Sequence, residues 1–347
     1  MRLARSRPAL VAVISLAALA AVTVSQPASA AKPPGPKTGS GTVFSINPVQ
    51  STGNQDLVDN NDADSPAFGP AYKRVVLTDL DGTGYLDGKW ANVRSATGDQ
   101  AYSATGAYHY TRSDDRFEQV MAYYWATAAQ KYIQSLGFGT GELPPVNMES
   151  QDLRINQWGA DNSFSWDKHD LIRLGKGGVD DAEDGEVIVH EYGHAVHDSQ
   201  VPGYGTSLDA GAIGEAFGDY LAVTVGLTVA GPAAAGIPPA CVADWDSVSY
   251  DSTKPTCLRR IDLDLKLENR RNQVHFDGQI WSRALWDIRG KLGARVADRI
   301  IINAQFDFAP GTSFGDAADA TVATAQEMYG NAAAKVVRTA FTDRHIS

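Results

Sequence analysis

Residues 187–198 read VIVHEYGHAVHD, three histidines and a glutamate inside one apolar run. His190 and His194 stand four apart, a spacing that puts both imidazoles on one face of a helix, where they can point at a single metal ion. Glu191 lies beside them, close enough to take a proton from a water held at that ion. A tetrahedral zinc ion that performs chemistry needs a third protein ligand and an open fourth position. The stretch GAIGEAFGDYLA offers that ligand as Glu215, and Asp219 follows at i+4, placed to accept the free N–H of a ligand imidazole. His197, the third histidine, reads as an exposed or helix-capping side chain.

The elements that must carry these groups are helical from residue 186 onward, with patterns at 186–199, 210–226, 278–292, 315–329 and 331–341. Gly193, Gly211, Gly214 and Gly218 weaken two of these helices by propensity but allow their backbones to approach closely. From 43 to 110, short apolar alternations such as KRVVLTDLDG are broken by Gly, Asn and Asp, which predicts strands joined by turns. Ser113 then reads as the cap of a helix whose stripe of Phe117, Val120, Met121, Tyr124, Ala128 and Tyr132 belongs in a core. DNSFSWDKHDLIRL is strand-like again, and no internal repeat is present. The expected fold is α+β: a β-rich N-terminal lobe over 43–205, ending with the metal helix, a mainly helical C-terminal lobe over 206–347, and a cleft between them.

Residues 1–30 join Arg2, Arg5 and Arg7 to an apolar run over 10–24 and the small-residue site Ala28-Ser29-Ala30, the signature of a secretory signal peptide. The run is short for a membrane span, so no stable membrane insertion is expected once it is removed. Residues 31–42, AKPPGPKTGSGT, read as a flexible lead-in. The net charge of −11, more acidic still without the leader's three arginines, argues against a nucleic-acid partner. Export also meets an oxidising compartment, so Cys241 and Cys257 are expected to pair as a disulfide.

HEYGHAVHD resembles the active-site helix of the thermolysin and fungalysin families, zinc endopeptidases of the gluzincin type, and GEAFGDYLA resembles their second metal helix. The resemblance implies a zincin-like fold with zinc on His190, His194 and Glu215, and Asp219 as the carboxylate partner of a ligand imidazole. QVHFDGQIWSRALWDIRGKLG is similar to the segment carrying the families' transition-state histidine, here His275. DNSFSW is similar to the edge strand that binds substrate backbone, here Asn162 and Ser163. The substrate-carbonyl arginine maps onto Arg259 of CLRRID in preference to Arg260, and a transition-state tyrosine onto Tyr204. The acid that orients the families' histidine has no aligned counterpart, Glu268 being only nearby, and the short lead-in leaves no segment for their large inhibitory pro-domain. Similarity is good over 160–347, including ATVATAQEMYGNAAAKVVRTAF, and loose before that.

The implied activity is hydrolysis of polypeptide substrates by a secreted zinc endopeptidase, with Glu191 as general base. Two other readings keep the fold: a zinc hydrolase of non-peptide substrates, and a catalytically silent secreted binding protein. The presence of both Glu191 and His275 argues against the silent reading, since neither is needed for structure alone. A second cation is also in view. DLDGTGYLDG gathers Asp79, Asp81 and Asp87, read either as a calcium loop or as a hairpin turn. VDDAEDGE offers Asp180, Asp181, Glu183 and Glu186, the calcium position the resemblance suggests, or simply an acidic helix start.

Overall fold

The computed structural model describes residues 35–346, so the leader and the first four residues of the lead-in lie outside the described residues. Strand β1 (Gly39–Phe44) begins inside the stretch expected to be a flexible lead-in, which therefore ends earlier than its Pro and Gly content suggested. Gly35 N–H already donates to Gly82 O, fixing the chain before the strand starts. After the short helix α1 (Pro48–Thr52), β2 (Tyr72–Leu77) returns antiparallel to β1, and β4 (Ala107–Tyr108) lies parallel on the other side of β1.

A second sheet holds β3 (Ala91–Ser95), β5 (Gln151–Ile155), β7 (Leu171–Arg173) and β6 (Phe164–Trp166) in the order β3-β5-β7-β6. The first three run parallel, and β6 is an antiparallel edge. Helix α2 (Arg116–Ser135) packs on both sheets and buries Phe117, Val120, Met121 and Tyr132. Ser113 does not cap it. The helix starts at Arg116, and the Ser113 hydroxyl sits in the preceding turn facing Thr111.

The remaining chain is helical: α3 (Gly185–Gln200), α4 (Leu208–Val229), the two-stranded β8 (Cys241–Val242) and β9 (Arg259–Arg260), then α5 (Val274–Leu292), α6 (Ala294–Ala304), α7 (Phe314–Tyr329) and α8 (Asn331–Thr342). α4 is long and apolar enough to cross a membrane by length and composition, yet 78% of that window is buried between α3 and α5, which makes it a core helix. The α+β architecture is as expected. α6 falls in the region expected to be helical but had no pattern of its own marked: its Ile300-Ile301-Ile302 run mimics a strand, while Ala297, Ile300, Ile301 and Ala304 bury at helical spacing. Cys241 and Cys257 form a disulfide that closes the loop between β8 and β9.

Candidate metal centre and active site

α3 starts beyond the 3-10 turn Asp181–Glu183, capped by Asp184, whose carboxylate accepts the Glu186 N–H at 2.9 Å. His190 and His194 lie one turn apart with Nε2 atoms 3.2 Å from each other. α4, capped by the Ser207 hydroxyl, runs against α3 and brings Glu215 Oε2 to 3.4 Å from His190 Nε2 and Oε1 to 3.7 Å from His194 Nε2. The approach depends on two glycines. A Cβ on Gly193 would sit 2.9 Å from Gly218 Cα, and one on Gly218 would sit 2.7 Å from His190 Nδ1.

The ligand atoms of His190, His194 and Glu215 all lie within 4.8 Å of one another, and Glu215 Oε2 is buried without a hydrogen bond. A buried carboxylate oxygen left unpaired opposite two imidazole nitrogens is costly unless a cation completes the set. Two nitrogens and one oxygen fit zinc with one position open. Behind them, His190 Nδ1 donates to Asp219 Oδ1 at 2.9 Å, and Arg259 clamps Asp219 through Nε and Nη2, both at 2.7 Å. Burial opposes charge on His190, but the Asp219 and Glu215 carboxylates outweigh it and lift the imidazole to about 10. His194 has no such acid behind it, and burial pushes it down to about 4. Burial likewise works against Glu215, but the nearby imidazoles of His190 and His194 hold its carboxyl well below the usual range.

A cavity of about 390 Å³ opens over these groups, walled by Asn162 and Ser163, the start of β6, Tyr204, Glu215 and His275. Glu191 faces it, and burial pushes its carboxyl up to about 7, so that it holds and releases a proton near neutrality. His275, in the first turn of α5, points Nε2 at Glu215 Oε2 from 3.4 Å. Glu268, the nearby acid, is spent on His345 at 2.9 Å. The side chain that orients His275 is Gln273, unmarked in the sequence reading because an amide carries no charge signature. Its Oε1 accepts the Phe276 N–H as helix cap, which leaves Nε2 to donate to His275 Nδ1 at 2.7 Å. That bond puts the imidazole proton on Nε2, and burial lowers the pKa, so His275 is a neutral donor aimed at the cavity.

The other expected residues have distinct places. Tyr204 stacks on His197 at 3.7 Å between centroids, and burial raises its pKa, leaving its partnerless hydroxyl a protonated donor on the cavity wall. His197 is neither exposed nor a cap: it is 1% exposed and held neutral by burial. Arg259 lines a smaller adjoining cavity with His190 and His275 rather than the main one, its guanidinium committed to Asp219. The four acids expected to share a calcium ion are not gathered on one point. Asp180 pairs with Lys176 at 3.1 Å, Glu183 with buried Arg112 at 2.8 Å, and Glu186 accepts from Gln50 Nε2 and Ala243 N–H. In the first acidic loop Asp79 faces Lys131, Asp81 accepts from Thr83 and Asp87 pairs with Arg94, which is the turn reading.

Residues 206–346 match the family model described as "Thermolysin metallopeptidase, alpha-helical domain". Over that helical domain the chain is thermolysin-like. Among solved structures, the precursor of protealysin, a metalloproteinase from Serratia proteamaculans, superposes with a TM-score of 0.54 at 18% identity over 74% of this chain and 86% of that one. At that identity the likeness is one of fold, while the family match falls on the half that carries Glu215, Asp219, Arg259 and His275. No curated protein matches the sequence. The thermolysin-like helical half supports a metallopeptidase as the enzyme class.

Proposed function

We propose that this thermolysin-like chain is a secreted zinc endopeptidase. The observation that carries the reading is the convergence of His190, His194 and Glu215 with Glu191 and His275 on one cavity beside an edge strand. A zinc ion held by His190, His194 and Glu215 supplies Lewis acidity toward the scissile carbonyl and toward water. Glu191 takes the proton of the attacking water and later delivers it to the leaving amine, a task suited to a carboxyl near 7. His275 Nε2–H, with the Tyr204 hydroxyl on the same cavity wall, donates to the oxygen that gains charge in the transition state. Asp219 holds His190 in the tautomer that offers Nε2, and Arg259 holds Asp219 ionised.

β6 offers its unpaired edge to an extended peptide, and Asn162 and Ser163 precede it on the cavity wall. Polypeptides are therefore the substrate class, supported by the metallopeptidase match. The proposed division is a leader over 1–30, a lead-in, and lobes over 43–205 and 206–347 that meet at the site; the leader is the support for secretion. The test is casein digestion by purified protein with and without a chelator. Loss of cleavage on chelation and recovery on added zinc is expected, and cleavage that survives chelation refutes the reading.

A further inference from the structure

Asp161, Asp181 and Asp246 come from three separate segments, yet a carboxylate oxygen of each lies within 4.8 Å of the other two. Asp161 precedes the cavity residues Asn162 and Ser163. Asp181 opens the turn before α3, and Asp246 lies inside the disulfide-closed loop. Asp181 and Asp246 are 2% and 4% exposed, and Oδ1 of all three is buried with no hydrogen bond. None of the three makes a salt bridge among the described residues, whereas Asp180, Glu183 and Asp219 close by each have a cationic partner. Asp246 is the sharpest case, since no hydrogen bond reaches its carboxylate among the described residues. A fold that drives three acids together and leaves Oδ1 of each without a donor incurs desolvation and mutual repulsion, which Arg259 offsets only at a distance and without an ion pair to any of the three.

We infer that Asp161, Asp181 and Asp246 form a binding site for one calcium ion. An all-carboxylate set excludes soft metals, and ligating oxygens on opposite sides of calcium stand about 4.6–5.2 Å apart, a span that accommodates this cluster. The surrounding backbone is shaped for it. Gly178, at φ +68, packs against Asp161 and Ser249, and any Cβ there would collide with the Asp161 carboxylate. Tyr250 O–H donates to the Asp161 carbonyl at 2.6 Å, and Ser163 O–H donates to Asp181, tying the cluster to the strand that borders the main cavity. This set shares only Asp181 with the acids expected from sequence. Its consequence is local: calcium would staple the segment leading into β6 to the start of α3 and to the disulfide loop.

The inference stands on the carboxylate cluster, not on the peptidase reading, and its test reads binding and melting. Zinc-loaded protein is titrated with calcium chloride by calorimetry, with thermal melts in parallel. One calcium per chain at Kd of about 1 mM or tighter and a rise in Tm are expected. Asp246→Asn, close in size but uncharged, should weaken binding at least tenfold and melt no lower than the parent without calcium, because one repelling charge is gone. Asp81→Asn, in the other acidic loop, should bind as the parent does. Asp161→Asn, at the least buried ligand, repeats the test if Asp246→Asn fails to fold. Absence of saturable calcium binding in the parent, or parental affinity in the asparagine variant tested, overturns the inference.

Discussion

Gly193→Ala tests whether the metal site depends on how closely two helices approach. The new Cβ would stand 2.9 Å from Gly218 Cα, where ordinary contacts begin at 3.4 Å, so α3 and α4 must separate by about 0.5 Å. Alanine improves helix propensity by about 1 kcal/mol, while overpacking against backbone costs about 1–3 kcal/mol, so the fold should lose about 0–2 kcal/mol. Zinc should suffer more. His190 and His194 ride on one helix and Glu215 on the other, and a shift of about 0.5 Å equals the whole tolerance of a well-built site. We expect zinc affinity to fall at least tenfold, about 1.4 kcal/mol, in competition with a chromophoric chelator. Gly290→Ala is the control, since a Cβ there meets nothing within 4 Å and should stabilise the protein by up to about 1 kcal/mol. If Gly193→Ala melts at or above the parent and holds zinc equally well, the close-approach argument fails.

Glu191→Gln should keep zinc and nearly abolish turnover, and His275→Ala should lower kcat about a hundredfold with little change in KM; parental rates in the first, or a change mainly in KM in the second, would remove the assigned role. Glu215→Gln should weaken zinc directly, and Asp219→Asn should do so through His190 while also destabilising the fold by about 3–5 kcal/mol, because Arg259 loses its buried partner; unchanged metal content and melting in both would contradict the ligand scheme. Gln273→Glu puts an anion at His275 Nδ1 and favours the imidazolium, so the limb of the kcat/KM profile due to this histidine should move up by about one pH unit, and an unmoved profile would deny Gln273 its orienting role. Replacing Cys241 and Cys257 by serine opens a loop of sequence separation 16 and should cost about 3 kcal/mol in a denaturant titration, with an unchanged midpoint as the contrary result.

The residues of the candidate metal centre could be picked out because their spacing is set by a local rule. Residues four apart on a helix share a face whatever surrounds them, so His190 with His194, and Glu215 with Asp219, could be read in pairs. Joining the pairs rested on the need for a third ligand and on glycines that permit close approach, and the resemblance then supported it, since nothing in the spacing from 194 to 215 says that the two helices touch. What was misread or passed over was of two kinds. α6 and Ser113 were local ambiguities, the first a β-branched run and the second a cap displaced by two residues into Asp115. His197, Asp161 and Asp246 depend on tertiary contacts, because burial reverses the expectation for a polar residue and acids far apart in sequence meet, whereas Gln273 acts on a near neighbour but carries no charge to mark it. Calcium illustrates the limit, because the acidic run 180–186 looks like one site, yet folding sends its members to different partners.

Strand β6 is three residues long and ends its sheet, so whatever lies along it must bring its own extended backbone. A target protein whose cleavable segment is helical or already paired must first release that segment, and the free energy of this opening is subtracted from its reactivity. An opening of about 4 kcal/mol lowers the apparent kcat/KM about a thousandfold relative to an unstructured peptide of the same sequence. Across folded targets, cleavage patterns should therefore follow native-state hydrogen exchange more closely than side-chain preference, so that the enzyme surveys the looseness of other proteins as much as their sequence.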